Sequence, residues 1–71
     1  MSPGDWVVNS DEVSRVEGVV LAVCEDTVLV LWKVRGTLPA TWIDRASLWE
    51  IDPPRRVPSW FTEILDQIRM I

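Results

Sequence analysis

The residues with chemical potential in this sequence are few and widely separated. Cys24 is the only cysteine, and it closes the apolar run Gly-Val-Val-Leu-Ala-Val-Cys at 18–24. In such a run a thiol reads as a small hydrophobe, because a reactive thiolate needs an electropositive, accessible setting. Asp11-Glu12 and Glu25-Asp26 have the composition of general acid–base pairs, yet both stand in polar, turn-like stretches where carboxylates are solvated. Arg55-Arg56, the one adjacent basic pair, follows Pro53-Pro54. It suits a soluble linker or, more sharply, an anionic partner. There is no histidine, which removes Ser-His and Cys-His nucleophile pairs and any imidazole switch. A single thiol without histidine cannot build a structural zinc site. The three glycines lie too far apart for a phosphate-cradling loop. The expectation is a chain that is not an enzyme, with no catalytic residue, no cofactor and no metal.

What must position these residues is one small domain of 71 residues. The chain is 48% hydrophobic, contains five tryptophans and has a mean hydropathy of +0.13. At this size only about 60% of the unfolded surface can be buried, so every apolar face counts. Seven basic against eleven acidic residues give a net charge of −4. Nucleic-acid binders need a basic footprint to displace counterions from phosphates. Nucleic acid is therefore the second reading of the sequence, resting on Lys33, Arg35, Arg45, Arg55 and Arg56. No stretch approaches the roughly 18 apolar residues of a membrane helix, and the N-terminus lacks the basic and apolar regions of a signal peptide. The expected location is the cytoplasm, which a lone thiol suits.

Turn signals at Pro3-Gly4, 9–12, Gly18, 25–27, Arg35-Gly36, Pro39 and 52–54 separate short runs rich in Val, Leu, Ile and Trp. These runs predict strands at 5–9, 18–24, 27–34, 41–43 and 47–51, with a tight hairpin at Glu25-Asp26-Thr27. After Pro58 the period changes. Ser59 is a candidate N-cap, and Trp60, Phe61, Ile64, Leu65, Ile68 and Ile71 fall within one arc of a helix of about 12 residues. Glu63 and Asp66 precede Arg69, the order the helix dipole favours.

Period-2 arithmetic then shows an anomaly. A sheet with one buried face alternates apolar and polar residues. In the second strand Val19, Leu21 and Val23 point one way and Val20, Ala22 and Cys24 the other. In the third, Val28, Val30, Trp32 and Val34 oppose Leu29, Leu31 and Lys33. Both faces of this hairpin are apolar, more than scattered surface exposure explains. One face makes the core, and the C-terminal helix is the nearest cover for the other, supplied by the same chain or by a partner subunit.

The opening Gly4-Asp5-Trp6-Val7-Val8, the Glu17-Gly18-Val19-Val20 entry to the second strand, and the closing Leu48-Trp49-Glu50-Ile51 after a short turn at Asp44-Arg45-Ala46 resemble SH3-like small barrels over about residues 4 to 51. The resemblance implies a five-stranded SH3-like barrel; taken with the periodicity, the expected fold is mainly β, with the barrel over residues 1–54 followed by a linker and amphipathic helix over 55–71. It is specific for fold more than for function. KOW-type members share the Gly-x-Val turn but carry basic loops for RNA, whereas this chain places Asp11, Glu12, Glu25 and Asp26 in its loops. Tudor-type members hold methylated lysine or arginine in an aromatic cage through cation–π attraction. The corresponding pocket would use Trp6, Trp32 and Trp42 with Asp44 as its anionic wall, although tryptophan also serves as core. The run from Leu38 to Leu48 is similar in layout to the fourth-strand segment of type II plasmid dihydrofolate reductases. Their Val-Gln-Ile-Tyr pore motif is absent, the corresponding run being Ala40-Thr41-Trp42-Ile43 or Thr41-Trp42-Ile43-Asp44. A pore reductase is thus a third reading, and the likeness supports oligomerisation of such barrels instead of their chemistry.

The reading taken forward is a non-catalytic protein-interaction module that self-associates as a homo-oligomer. Its expected contact residues are Leu29 and Leu31 on the hairpin and Trp60, Phe61, Ile64, Leu65 and Ile68 on the helix.

Overall fold

The runs of β-branched and aromatic residues become strands, and the region after Pro58 becomes a helix. The computed structural model describes residues 1–10, 16–34 and 40–69. In chain order these form β1 (Trp6–Asn9), β2 (Glu17–Cys24), β3 (Thr27–Trp32), β4 (Ala40–Asp44), a single 3-10 turn (Arg45–Ser47), β5 (Leu48–Ile51) and α1 (Ser59–Arg69). The five strands make one antiparallel sheet in the order β4-β3-β2-β1-β5. The acidic pair Asp11-Glu12, Arg35, and the run 35–39 lie outside the described residues.

The connectivity forces this sheet to curl. Flat, its edge strands β4 and β5 would stand about 19 Å apart at ~4.8 Å per strand. They are nonetheless joined by only Arg45–Ser47, whose 3-10 geometry advances about 2 Å per residue. This turn is pinned on both sides: the Arg45 N–H donates to the Asp26 carbonyl at 2.8 Å, and the Ser10 N–H and Oγ both donate to the Ser47 carbonyl at 2.9 Å. Among the described residues β4 and β5 do not pair, so the sheet stays open where a barrel would close.

Curling gives the sheet an inside and an outside, and both are apolar, as the hairpin pattern requires. Inside, Val7, Val20, Val28, Val30 and Leu48 form one buried cluster, with Met1, Trp32 and Ile43 against it. Outside, Val19 and Leu31 are buried with Phe61 and Leu65 of α1. Trp6, Leu21, Ala40, Val57, Trp60 and Ile64 flank this second cluster. The cover for the outer face is thus the chain's own helix.

Three local readings are corrected. The strict alternation expected along β2 fails, because its pairing with β3 passes from Val20↔Val30 to Ala22↔Leu29 with Leu21 as the extra residue of a bulge. Directly paired residues share a face, so beyond the bulge Ala22 and Cys24 join the outer side and Val23 the inner. Cys24, expected within an apolar run, is exposed at the end of β2 beside the Glu25-Asp26 turn. Ser59 also lies inside the first helical turn instead of capping it. The Pro58 carbonyl accepts from the Phe61 and Thr62 N–H groups at 3.0 and 3.2 Å, which moves the cap back one residue.

Candidate interaction surface

Strand register explains why the helix docks where it does. Ala40, Leu31, Val19, Trp6 and Ile51 are paired in succession across β4, β3, β2, β1 and β5, forming one row on the outer face. Phe61 is fully buried against this row, its ring centroid 5.6 Å from that of Trp6 and 5.8 Å from that of Trp60, edge-on to the latter. Of the expected contact residues, Leu31, Phe61 and Leu65 are buried within the single chain, and Trp60 and Ile64 are half-buried. Leu29 is only half-buried and Ile68 is exposed.

The tryptophans expected to line an aromatic pocket are not brought together. Trp6 belongs to the outer cluster under α1, whereas Trp32 packs against the inner cluster and donates from Nε1 to Thr41 Oγ1 at 2.8 Å. Trp42 is on the outer face of β4, opposite Leu29, and is 55% exposed. Asp44, two residues on, shares its face and is also exposed. Of the four residues expected there, Trp42 and Asp44 share a face and are both exposed.

The next outer row along from the helix-covered one reads Ala22, Leu29, Trp42 across β2, β3 and β4. It belongs to neither buried cluster. Beyond it come Cys24, Thr27 and Asp44, also in register, and then the turn carrying Glu25 and Asp26. Asp26, Asp44, Arg45 and Ala46 line one shallow depression at this end. The strip is thus apolar in its middle and acidic at its tip. Ala22 escaped the sequence reading because strict alternation sends it to the opposite face. The signal that could have found it is the tryptophan on β4, which needs an apolar cross-strand neighbour. A second exposed indole, Trp49 at 62%, stands on β5 opposite Val8.

The described cationic side chains fall into two groups. Lys33 Nζ is tied to Glu17 Oε1 at 2.6 Å with both groups half-buried, and Arg45 lines the depression together with Asp26 and Asp44. Arg55 and Arg56 are exposed, and among the described residues neither takes part in an ion pair. They are held outward between two fixed points, Ile51 in the sheet and Val57 in the outer cluster. Among the described residues no acidic or thiol cluster is arranged as a metal site, no buried side-chain polar atom lacks a partner, and no helix is long and apolar enough to cross a membrane. No known protein family, curated protein or solved structure matches the chain.

Proposed function

We propose that this chain is a non-catalytic protein-interaction module, built as an SH3-like small barrel, that associates with itself through the apolar strip its own helix leaves open. The observation that carries this reading is the Ala22–Leu29–Trp42 row, with its half-buried leucine and 55% exposed tryptophan. A large indole exposed beside uncovered aliphatic surface is the usual composition of an interface centre, and tryptophan is among the residues that contribute most there. The barrel reading is supported by the short Arg45–Ser47 turn that draws the two edge strands together, matching the short turn before the last strand that the resemblance implies. Trp60, Phe61, Ile64 and Leu65 serve the fold within one chain, which leaves Leu29, Trp42 and Ile68 for contact.

Light scattering of the full chain across a concentration series tests this reading. Self-association is expected, and Trp42→Ala should weaken it by about 2 kcal/mol or more, the scale of an interface hot spot. Since Trp42 is half exposed, the variant should keep its fold, which circular dichroism checks. A chain that scatters as a monomer at every concentration overturns the self-association.

A further inference from the structure

The open strip and the open cations complement each other within one sequence. At the tip of the strip Glu25, Asp26 and Asp44 outnumber Arg45, while Arg55 and Arg56 form the only adjacent basic pair in a chain of net charge −4. The arginines follow the end of β5 that points away from the Arg45–Ser47 turn, whereas the acidic tip of the strip lies at Asp44, where β4 enters that turn. Within the chain no ion pair joins them, among the described residues. Two surfaces of opposite charge that do not meet within one copy can meet between two. We propose that a second copy of this chain occupies the strip, with Arg55 and Arg56 of each copy set against Trp42, Asp44 and Asp26 of the other in a two-fold, reciprocal contact. The proposal rests on the self-association inferred above and names what fixes its orientation.

The chemistry fits arginine in particular. A guanidinium stacks flat on an indole face while its N–H groups pair with a carboxylate, and Trp42 is 55% exposed with Asp44 on the same side of β4. Pro53, Pro54 and Pro58 frame the arginines and stiffen the segment, so less freedom is lost on docking. A two-fold arrangement uses both surfaces of both copies and closes, which avoids an open chain of molecules. Net repulsion between two acidic copies opposes the contact, and the local pairing of opposite charges offsets it.

The decisive variant is Asp26→Lys/Asp44→Lys, which raises the net charge from −4 to zero. A smaller net charge by itself would strengthen association, whereas loss of the clamp predicts the opposite: association weakened, with a dimer roughly tenfold weaker or more by light scattering or sedimentation. Arg55→Glu/Arg56→Glu should weaken the dimer similarly, and combining both pairs of changes in one chain should restore most of the affinity. Arg55→Gln/Arg56→Gln, in a segment outside strands and helix, gives the same direction should a reversed charge upset folding. A wild-type dimer that is as tight or tighter in Asp26→Lys/Asp44→Lys overturns the clamp and leaves the self-association standing. A wild-type chain that never dimerises overturns both. A monomer that instead captures an arginine-rich peptide, lost in the same variant, overturns the second copy as occupant and assigns the strip to a foreign basic partner.

Discussion

Inside the curl every buried side chain comes from a strand, namely Val7, Val20, Val28, Val30 and Leu48; outside, Val19 and Leu31 of the sheet are buried only because Phe61 and Leu65 arrive from a helix beyond a proline-rich connector. The difference in residue type follows from geometry. A tightly curled sheet leaves little interior volume, and short, stiff valines fill it in their preferred rotamers. A helix stands away from the sheet it covers, so Phe, Leu and Trp must reach across the gap. The inner cluster is thus assembled by the strands of the sheet itself, held in place by the ladder hydrogen bonds between them. The burial of Val19 and Leu31 on the outer face depends on a segment whose docking is a separate event, and the Ala22–Leu29–Trp42 row beside them belongs to neither buried cluster.

The strongest way to break this comparison is Phe61→Ala. The side chain is fully buried and touches Trp6 and Trp60. Truncating a buried phenylalanine costs about 3–5 kcal/mol. That is a large part of the stability of a chain this size, at roughly 0.05–0.15 kcal/mol per residue. Urea unfolding followed by tryptophan fluorescence reads the loss directly. A cost below about 1 kcal/mol would mean that the outer cluster is a surface contact and not a second core.

The inner face is tested by Gly18→Ala. A Cβ at this position would sit 2.5 Å from Val30 Cγ1, 2.9 Å from Trp32 Cε3 and 3.0 Å from the Leu31 carbonyl oxygen. Val30 is itself fully buried and cannot swing away. The expected cost is about 2–3 kcal/mol, the upper range for overpacking a closed core. Adding Val30→Ala should recover part of it, since the closest clash is then removed. Additive losses in the double variant would contradict the crowding.

Gly18 also shows where the sequence could be read and where it could not. The sequence placed it as the first residue of the second strand and it lies within β2, but only the structure shows that its missing side chain makes room for Trp32. Strand existence was legible because apolar runs bounded by turn residues leave few alternatives. The doubly apolar hairpin announced the helix on its back. The bulge at Leu21 was not legible, because nothing local distinguishes a residue that drops out of register from one that stays in it. From that one slip follow the misplaced faces of Ala22, Val23 and Cys24, and with them the strip beside Trp42. The separation of Trp6 from Trp32 was equally hidden: it depends on which side of the curl each strand presents. Conversely, Arg55-Arg56 stood out in the sequence as a basic pair, but only the structure shows both side chains exposed and held between two anchors.

The smallest expected effect comes from the hairpin tip, which belongs to neither face. Glu25 has φ of 52°, in the left-handed region that disfavours side chains with a Cβ, and Thr27 Oγ1 braces the turn by donating to the Cys24 carbonyl at 2.9 Å. Glu25→Gly relieves this strain and should stabilise the fold by about 0.5–1 kcal/mol, less the added freedom of glycine in the unfolded chain. The useful readout is hydrogen exchange along the chain. Amides of β2 and β3 that open only on global unfolding should gain the full increment. Amides of α1, if the helix undocks while the sheet persists, exchange through an opening in which the turn is intact on both sides and should gain nothing. Equal gains in the strands and the helix would show that the two faces unfold as one unit, and the contrast between a self-closed interior and a separately docked exterior would then describe architecture without describing energetics.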